Sequence, residues 1–107
     1  MAVIKMIPEP IVNTRITRLA FLSRFTDDEA VAIDLASIDN PTGTSDERTG
    51  QASIRRYMSK INAASFVDVS REDTIVGVNV LETMGLIGTG RADEILSTEI
   101  TSEEAPL

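Results

Sequence analysis

The chain has very few aromatic side chains from which to build a core. Three phenylalanines and one tyrosine are the whole supply among 107 residues. Hydrophobic residues nevertheless make up 42% and charged residues 25%, which is a globular composition. Packing must therefore rely on Ile, Leu, Val, Met and Ala, and a chain of this length has room for one domain. This favours helices that pack through aliphatic ridges.

The sequence contains neither cysteine nor histidine. It can form no disulfide, and it lacks the thiolate nucleophile, the usual general base and the commonest metal ligands. Only Lys5 and Lys60 could activate a serine, and nothing ties either lysine to a particular hydroxyl. We therefore expect a protein that is not an enzyme, with no catalytic residue, no cofactor and no metal.

The charge balance is acidic. Ten basic and seventeen acidic residues give a formal net charge of −7, which disfavours a nucleic-acid partner. The apolar run at residues 75–80 is much shorter than the roughly 20 residues that span a bilayer, so no membrane partner is expected. The start of the chain lacks the pattern of a secretory signal, which predicts synthesis in the cytoplasm.

Residues 1–13 are predicted to form an extended arm, because Pro8 and Pro10 disfavour a helix. The arm carries too many apolar residues for a free tail, so we expect it to lie either on its own domain or on a partner. The candidate partner-binding residues are Val3, Ile4, Met6, Ile7, Ile11 and Val12.

Residues 14–97 are predicted to be a mainly α domain, a compact small bundle of about four to five helices. Periodic apolar residues predict a first helix over residues 14–25. Thr26 and Glu29 then form a capping-box pattern that begins a second helix, which should run to about Asp39. We expect the buried stripe of the second helix to be Val31, Leu35 and Ile38.

Residues 40–50 are rich in turn formers and predict a mobile surface loop. A third helix follows, from about residue 51 to residue 65. Its expected core stripe is Ile54, Tyr57, Met58 and Ile61. Its basic side chains are Arg55, Arg56 and Lys60. They predict either a face exposed to solvent or pairing with the acidic second helix. An anion-binding site is the alternative that the pattern favours least.

Ser70 is predicted to cap a fourth helix that ends at Gly85, although the β-branched residues at 74–80 leave a strand open. The expected stripe of this helix is Gly77, Val80, Leu81 and Met84. A short helix carrying Ala92, Ile95 and Leu96 follows. Residues 98–107 predict a flexible acidic tail.

Two patterns could carry chemistry but have simpler structural causes. Gly85, Gly88 and Gly90 could cradle a phosphate, yet no Gly-Lys-Ser/Thr follows, and helix termination explains the loop better. The acids at 27–29 could bind a cation, but they follow a capping threonine and suit the positive end of a helix.

Three stretches, at 17–29, 64–69 and 81–96, resemble small proteins of tailed bacteriophages and prophages. The segments that carry the resemblance are R-F-T-x-x-E and L-E-x-x-G-L-I-x-x-G-R-A-x-E-I-L, and together the stretches span residues 15–96. Such proteins tend to be encoded among tail and tail-fibre genes.

The resemblance implies a non-enzymatic structural protein of the virion tail. It would be a tail or tail-fibre-associated component or adaptor that acts by packing on other phage tail or fibre proteins, with homo-oligomerisation left open. The alternative is an acidic accessory protein, an inhibitor or assembly chaperone, that binds a host or phage protein outside the virion.

Deleting residues 1–12 should preserve the helical circular-dichroism signal but prevent binding to the partner or particle, because the arm offers most of the available apolar area. A chain ending at Ser97 should still bind. Normal assembly of the arm deletion, together with loss of assembly in the tail deletion, would refute this expectation.

Overall fold

The computed structural model describes residues 13–106, and the six candidate arm residues lie outside this range. The described chain is mainly α, as predicted, with 57% of its residues in five helices. The elements in chain order are β1 (Arg15–Thr17), α1 (Arg18–Ser23), α2 (Asp27–Ala36), α3 (Ser45–Ala63), β2 (Phe66–Asp68), α4 (Glu72–Thr83) and α5 (Arg91–Ser97).

The predicted helix over residues 14–25 is wrong in its first part. β1 pairs antiparallel with β2, and Ile16 lies opposite Val67 with both side chains buried. The Thr17 hydroxyl then accepts a hydrogen bond from the Ala20 amide and caps α1. The local sequence pattern does not predict this strand, because its partner strand lies about fifty residues further along the chain.

The capping box at the start of α2 is confirmed. The Thr26 hydroxyl accepts from the Glu29 amide at 3.1 Å, and the Glu29 carboxylate accepts from the Thr26 amide at 2.8 Å. The two bonds satisfy two amides that a helix start leaves without intrahelical partners. α2 ends at Ala36, a few residues before the predicted stop.

The predicted buried stripe of α2 is wrong. Val31, Leu35 and Ile38 are 55%, 64% and 61% exposed, whereas Ile33 is 4% exposed. At 3.6 residues per turn, Ile33 lies about 160° around the helix from Val31 and Leu35. α2 is therefore apolar on two opposite faces, and tertiary packing buries the face that carries the single isoleucine.

Most of the predicted loop at residues 40–50 is not a loop. α3 begins at Ser45, where the Thr44 hydroxyl accepts a hydrogen bond from the Glu47 amide. This cap lies inside a polar stretch with no apolar periodicity, which explains why the pattern placed the helix start later. Of the predicted α3 stripe, Ile54 and Ile61 are buried, and Tyr57 and Met58 pack against the core while partly exposed.

α4 is a helix, as favoured, but it starts differently. The Ser70 hydroxyl donates to the Asp68 carboxylate, and Arg71 occupies the cap position. The buried residues of α4 are Thr74, Val78 and Leu81, so only Leu81 of the predicted stripe is buried and Val80 and Met84 are exposed.

The predicted end of α4 at Gly85 is confirmed. Gly85 has φ of 76°. Its amide donates to Glu82, and the Leu86 amide donates to Leu81, which is the Schellman pattern of helix termination. Because only glycine adopts this left-handed conformation without strain, Gly85 turns the chain sharply towards α5.

The buried core draws on every element. Phe21 is fully buried and meets Phe25 edge to face, with ring centroids 5.5 Å apart. Aliphatic side chains supply the rest, as the scarcity of aromatic residues predicts. The core residues are Ile16, Phe21, Ile33, Ile54, Ile61, Val67, Val69, Val78, Leu81, Ile87, Ala92 and Ile95.

The Tyr57 ring of α3 lies directly on Gly77 of α4. A Cβ atom added at Gly77 would lie 2.2 Å from Tyr57 Cε2, far inside van der Waals contact. The glycine that weakens the helical pattern of α4 is thus the residue that lets the two helices approach.

Replacing Gly77 with alanine should therefore destabilise the protein, although this change usually stabilises a helix. We expect overpacking to lower the free energy of unfolding by about 1–3 kcal/mol in denaturant melts. Gly50→Ala in α3 is the matched control, since its Cβ would lie an ordinary 3.8 Å from Met84 Cε. The control should gain about 0.4–1 kcal/mol. Equal effects of the two changes would contradict the contact.

Candidate interaction surfaces

An open groove lies where the chain enters the described structure. Its volume is about 660 Å³, and Asn13 and Thr14 form part of its wall. Four aliphatic side chains, Val69, Ile75, Leu96 and Ile100, line it. The remaining lining residues are Ser70, Asn79, Asp93, Ser97, Thr98 and Glu99, so both charged side chains in the groove are acidic.

The exposed face of α4 continues from this groove. Ile75 and Asn79 line the groove, while Val76, Val80 and Met84 are exposed on the same helix. The sequence has no charged residue from Thr74 to Leu81, in a chain that is 25% charged. An exposed helical surface of this kind is typical of a contact site.

The outer face of α2, defined by Val31 and Leu35 on the helix and by Ile38 two residues beyond its end, is a second exposed apolar surface. Acidic residues flank it, and residues 27–39 contain no lysine or arginine. The face therefore suits a partner that combines apolar side chains with positive charge.

The predicted flexible acidic tail is wrong for residues 98–106. The Arg24 guanidinium donates two parallel hydrogen bonds to the Glu104 carboxylate, at 2.9 and 3.1 Å, and a third to the Ile95 carbonyl. The Arg24 side chain is only 7% exposed. The Thr17 amide donates to the Glu104 carbonyl, and Ile100 packs against the core. The C-terminal segment is therefore docked on the body.

A second arginine–glutamate pair holds α5 against α2. Arg91 donates to both Glu29 carboxylate oxygens at 2.8 Å, and also to Glu94 and to the Arg24 carbonyl. The Arg91 hydrogen bonds hold the pKa of the Glu29 carboxyl below its usual value. Glu29 of the acidic run thus has a structural partner.

The glycine loop before α5 already has an anionic ligand from the chain itself. The Glu82 carboxylate accepts hydrogen bonds from the Gly90 amide at 3.1 Å and the Ala92 amide at 3.0 Å. A phosphate at this helix start would have to displace that carboxylate. Helix termination at Gly85 and capping by Glu82 account for the loop.

The basic side chains predicted on α3 form no ion pair with an acidic residue of α2 within residues 13–106, although the start and middle of α3 contact the segment where α2 ends. Arg55 donates to the Ser37 carbonyl at the end of α2, and Arg48 pairs with Asp39. Lys60 instead lies 3.7 Å from Asp73 of α4. The Arg48–Asp39 and Lys60–Asp73 contacts are exposed ion pairs, which contribute little to stability individually.

A small apolar cavity of about 200 Å³ lies between α1, α2 and α3, with Tyr57 in its wall. The Tyr57 hydroxyl is buried and has no hydrogen-bond partner among the described residues. Burial raises the pKa of this hydroxyl well above its ordinary range, so it stays protonated at neutral pH.

Within residues 13–106, no three metal-binding side chains gather into a cluster. No helix in the same range has the length and apolarity that a membrane span requires.

Comparison with known proteins gives no match: no protein-family model, curated protein or solved structure is similar to this chain. Functional inference therefore depends on the surfaces described above.

Sequence reasoning missed the groove and the docking of Glu104. The uncharged run at residues 74–81 is a signal for the exposed face of α4, although its helical spacing also predicts a core stripe. Glu104 had no distinguishing signal, because it stands beside Glu103 in an acidic segment.

Glu104→Gln should lower the free energy of unfolding at pH 7 by about 1–3 kcal/mol, because the buried Arg24 guanidinium loses its charged partner. Arg24 holds the pKa of the Glu104 carboxyl below its ordinary 4.5. The stabilisation is therefore present above that value and is lost as pH falls through the lower folded pKa. Denaturant melts between pH 7 and pH 3 measure both effects.

Glu103→Gln is the matched control, since Glu103 is exposed and adjacent. We expect its stability to stay within about 0.5 kcal/mol of the parent protein. The Glu104 variant should also show a weaker loss of stability on acidification than the control. If the two variants melt alike at every pH, the docked C-terminal segment is refuted.

Proposed function

We propose that the protein is a non-enzymatic structural component of a bacteriophage tail or tail fibre, a compact small helical bundle that acts as a packing adaptor. The phage-like segments at residues 24–29 and 81–96 support the setting. The apolar outer face of α2 supports the mechanism, because it offers a surface that the protein's own core does not use.

The outer face of α2 is the observation that carries this proposal. Its three aliphatic side chains are more than half exposed, although they recur at helical spacing. Burying them would contribute on the order of 25 cal/mol per Å² of apolar surface, less the cost of association. A neighbouring tail or fibre protein would supply the cover.

The second candidate function is an acidic accessory protein that acts outside the virion. The acidic flanks of α2 and the net charge of −7 favour it, because such a surface can compete for a basic face on a host or phage protein. The two candidates use the same face of α2 but differ in whether the protein stays in the particle.

Mass spectrometry of purified particles from the encoding phage or induced prophage separates these candidates. A tail component should remain with the particle through purification in a fixed ratio to other tail proteins. An accessory protein should be present in the lysate and absent from the particle, which would overturn the leading proposal.

A double variant, Val31→Ala with Leu35→Ala, tests the contact surface. Because both residues are exposed and alanine favours helices, its stability should stay within about 0.5 kcal/mol of the parent protein. Its incorporation into particles should fall. Measuring the amount incorporated beside a denaturant melt separates loss of contact from loss of fold.

Ile33→Ala is the matched control on the opposite face of α2. It should lower the free energy of unfolding by about 2–5 kcal/mol, since Ile33 is buried in the core. Incorporation of the double variant at the parental level would exclude the outer face of α2 as the contact.

A further inference from the structure

The described chain begins at the wall of the groove between α4, α5 and the C-terminal segment. The Val69 amide donates to the Thr14 carbonyl at 2.9 Å, which extends the β1–β2 pairing by one residue to the groove. Asn13 is the next residue and lines the groove. Because consecutive Cα atoms are about 3.8 Å apart, residue 12 is attached at the wall of the groove.

We propose that residues 1–12 of the same chain occupy this groove and continue over the uncharged face of α4. The segment contains the six candidate partner-binding residues, which are the aliphatic and methionine side chains that such a surface would bury. Its charged side chains are Lys5 and Glu9, and the two charged residues of the groove, Asp93 and Glu99, are both acidic, so Lys5 is the side chain that can pair with the groove. Apolar content therefore matches between the segment and the groove, and Lys5 adds one complementary charge.

The segment is long enough for this path. Twelve extended residues reach up to about 40 Å, whereas a twelve-residue helix such as α4 is about 18 Å long. Pro8 and Pro10 restrict the backbone before binding, which reduces the entropy lost when the segment is ordered.

Attachment at the edge of the groove favours the chain's own segment over that of a second copy. A short connection gives an effective concentration in the millimolar range, so weak contacts suffice. Docking within one chain goes beyond the proposed function and does not depend on it.

Disulfide trapping in the full-length chain tests the proposal, because the sequence has no cysteine to compete. Cysteine is placed at Ile4, Ile7 or Ile11, each in combination with Asn79→Cys in the groove. Oxidation at low protein concentration should trap at least one pair as a disulfide-linked monomer. The matched control places the second cysteine at Ser59, in a helix that contributes nothing to the groove, and should be trapped less.

Disulfide-linked dimers as the main product would show that a second copy supplies the segment, and would overturn docking within one chain. Equal trapping by Asn79→Cys and Ser59→Cys, or none by either, would overturn it too. Both readouts use the isolated protein, so their failure would leave the particle test of function intact.

A fluorescence measurement gives a second, independent readout of the same docking. The chain has no tryptophan, so Ile11→Trp is a unique reporter. Its emission should be blue-shifted and protected from quenching, and Ile75→Asp in the groove should abolish both effects without loss of helical circular dichroism. Emission typical of free tryptophan in the parent groove would refute the proposal.

Discussion

Two arginine side chains connect the parts of this protein that lie far apart in the sequence. Arg24 binds Glu104 through two parallel hydrogen bonds, and Arg91 binds Glu29 in the same way. The pairs are coupled, because Arg91 also donates to the Arg24 carbonyl. Bidentate pairs of this kind fix orientation as well as distance. They connect α2, α5 and the C-terminal segment to one another, and the sheet within residues 13–106 has only two strands of three residues.

Because most of the core is aliphatic, we infer that these ionic contacts help to fix the arrangement of the elements. Aliphatic side chains of similar size can pack in several arrangements with similar burial, whereas large aromatic rings restrict the choice. Tyr57 is the exception, since its ring requires the absence of a side chain at Gly77. One steric contact therefore sets the approach of α3 and α4, and the arginine pairs set the outer elements.

The features that were predictable from the sequence are those specified within a few residues. Thr26 with Glu29 caps α2, Gly85 ends α4, and the spacing of Ile54 and Ile61 defines the buried face of α3. The features that were not predictable need long-range information. β1 depends on a partner about fifty residues away. For α2, both faces are apolar, and the local pattern cannot decide which one the core accepts. Glu104 is distinguished from Glu103 only by the position of Arg24.

The same long-range contacts determine which apolar surfaces stay exposed and available to a partner. Docking of the C-terminal segment through Glu104 places Ile100 beside α5 and so forms one side of the groove. The groove has a covalently attached occupant of matching chemistry within reach, whereas the outer face of α2 has none on the described chain. A partner would bind the α2 face with higher affinity than the groove. At the groove it would have to displace a tethered segment whose effective concentration is in the millimolar range. The α2 face is therefore the better candidate for the first contact in assembly, and the groove for the internal arm.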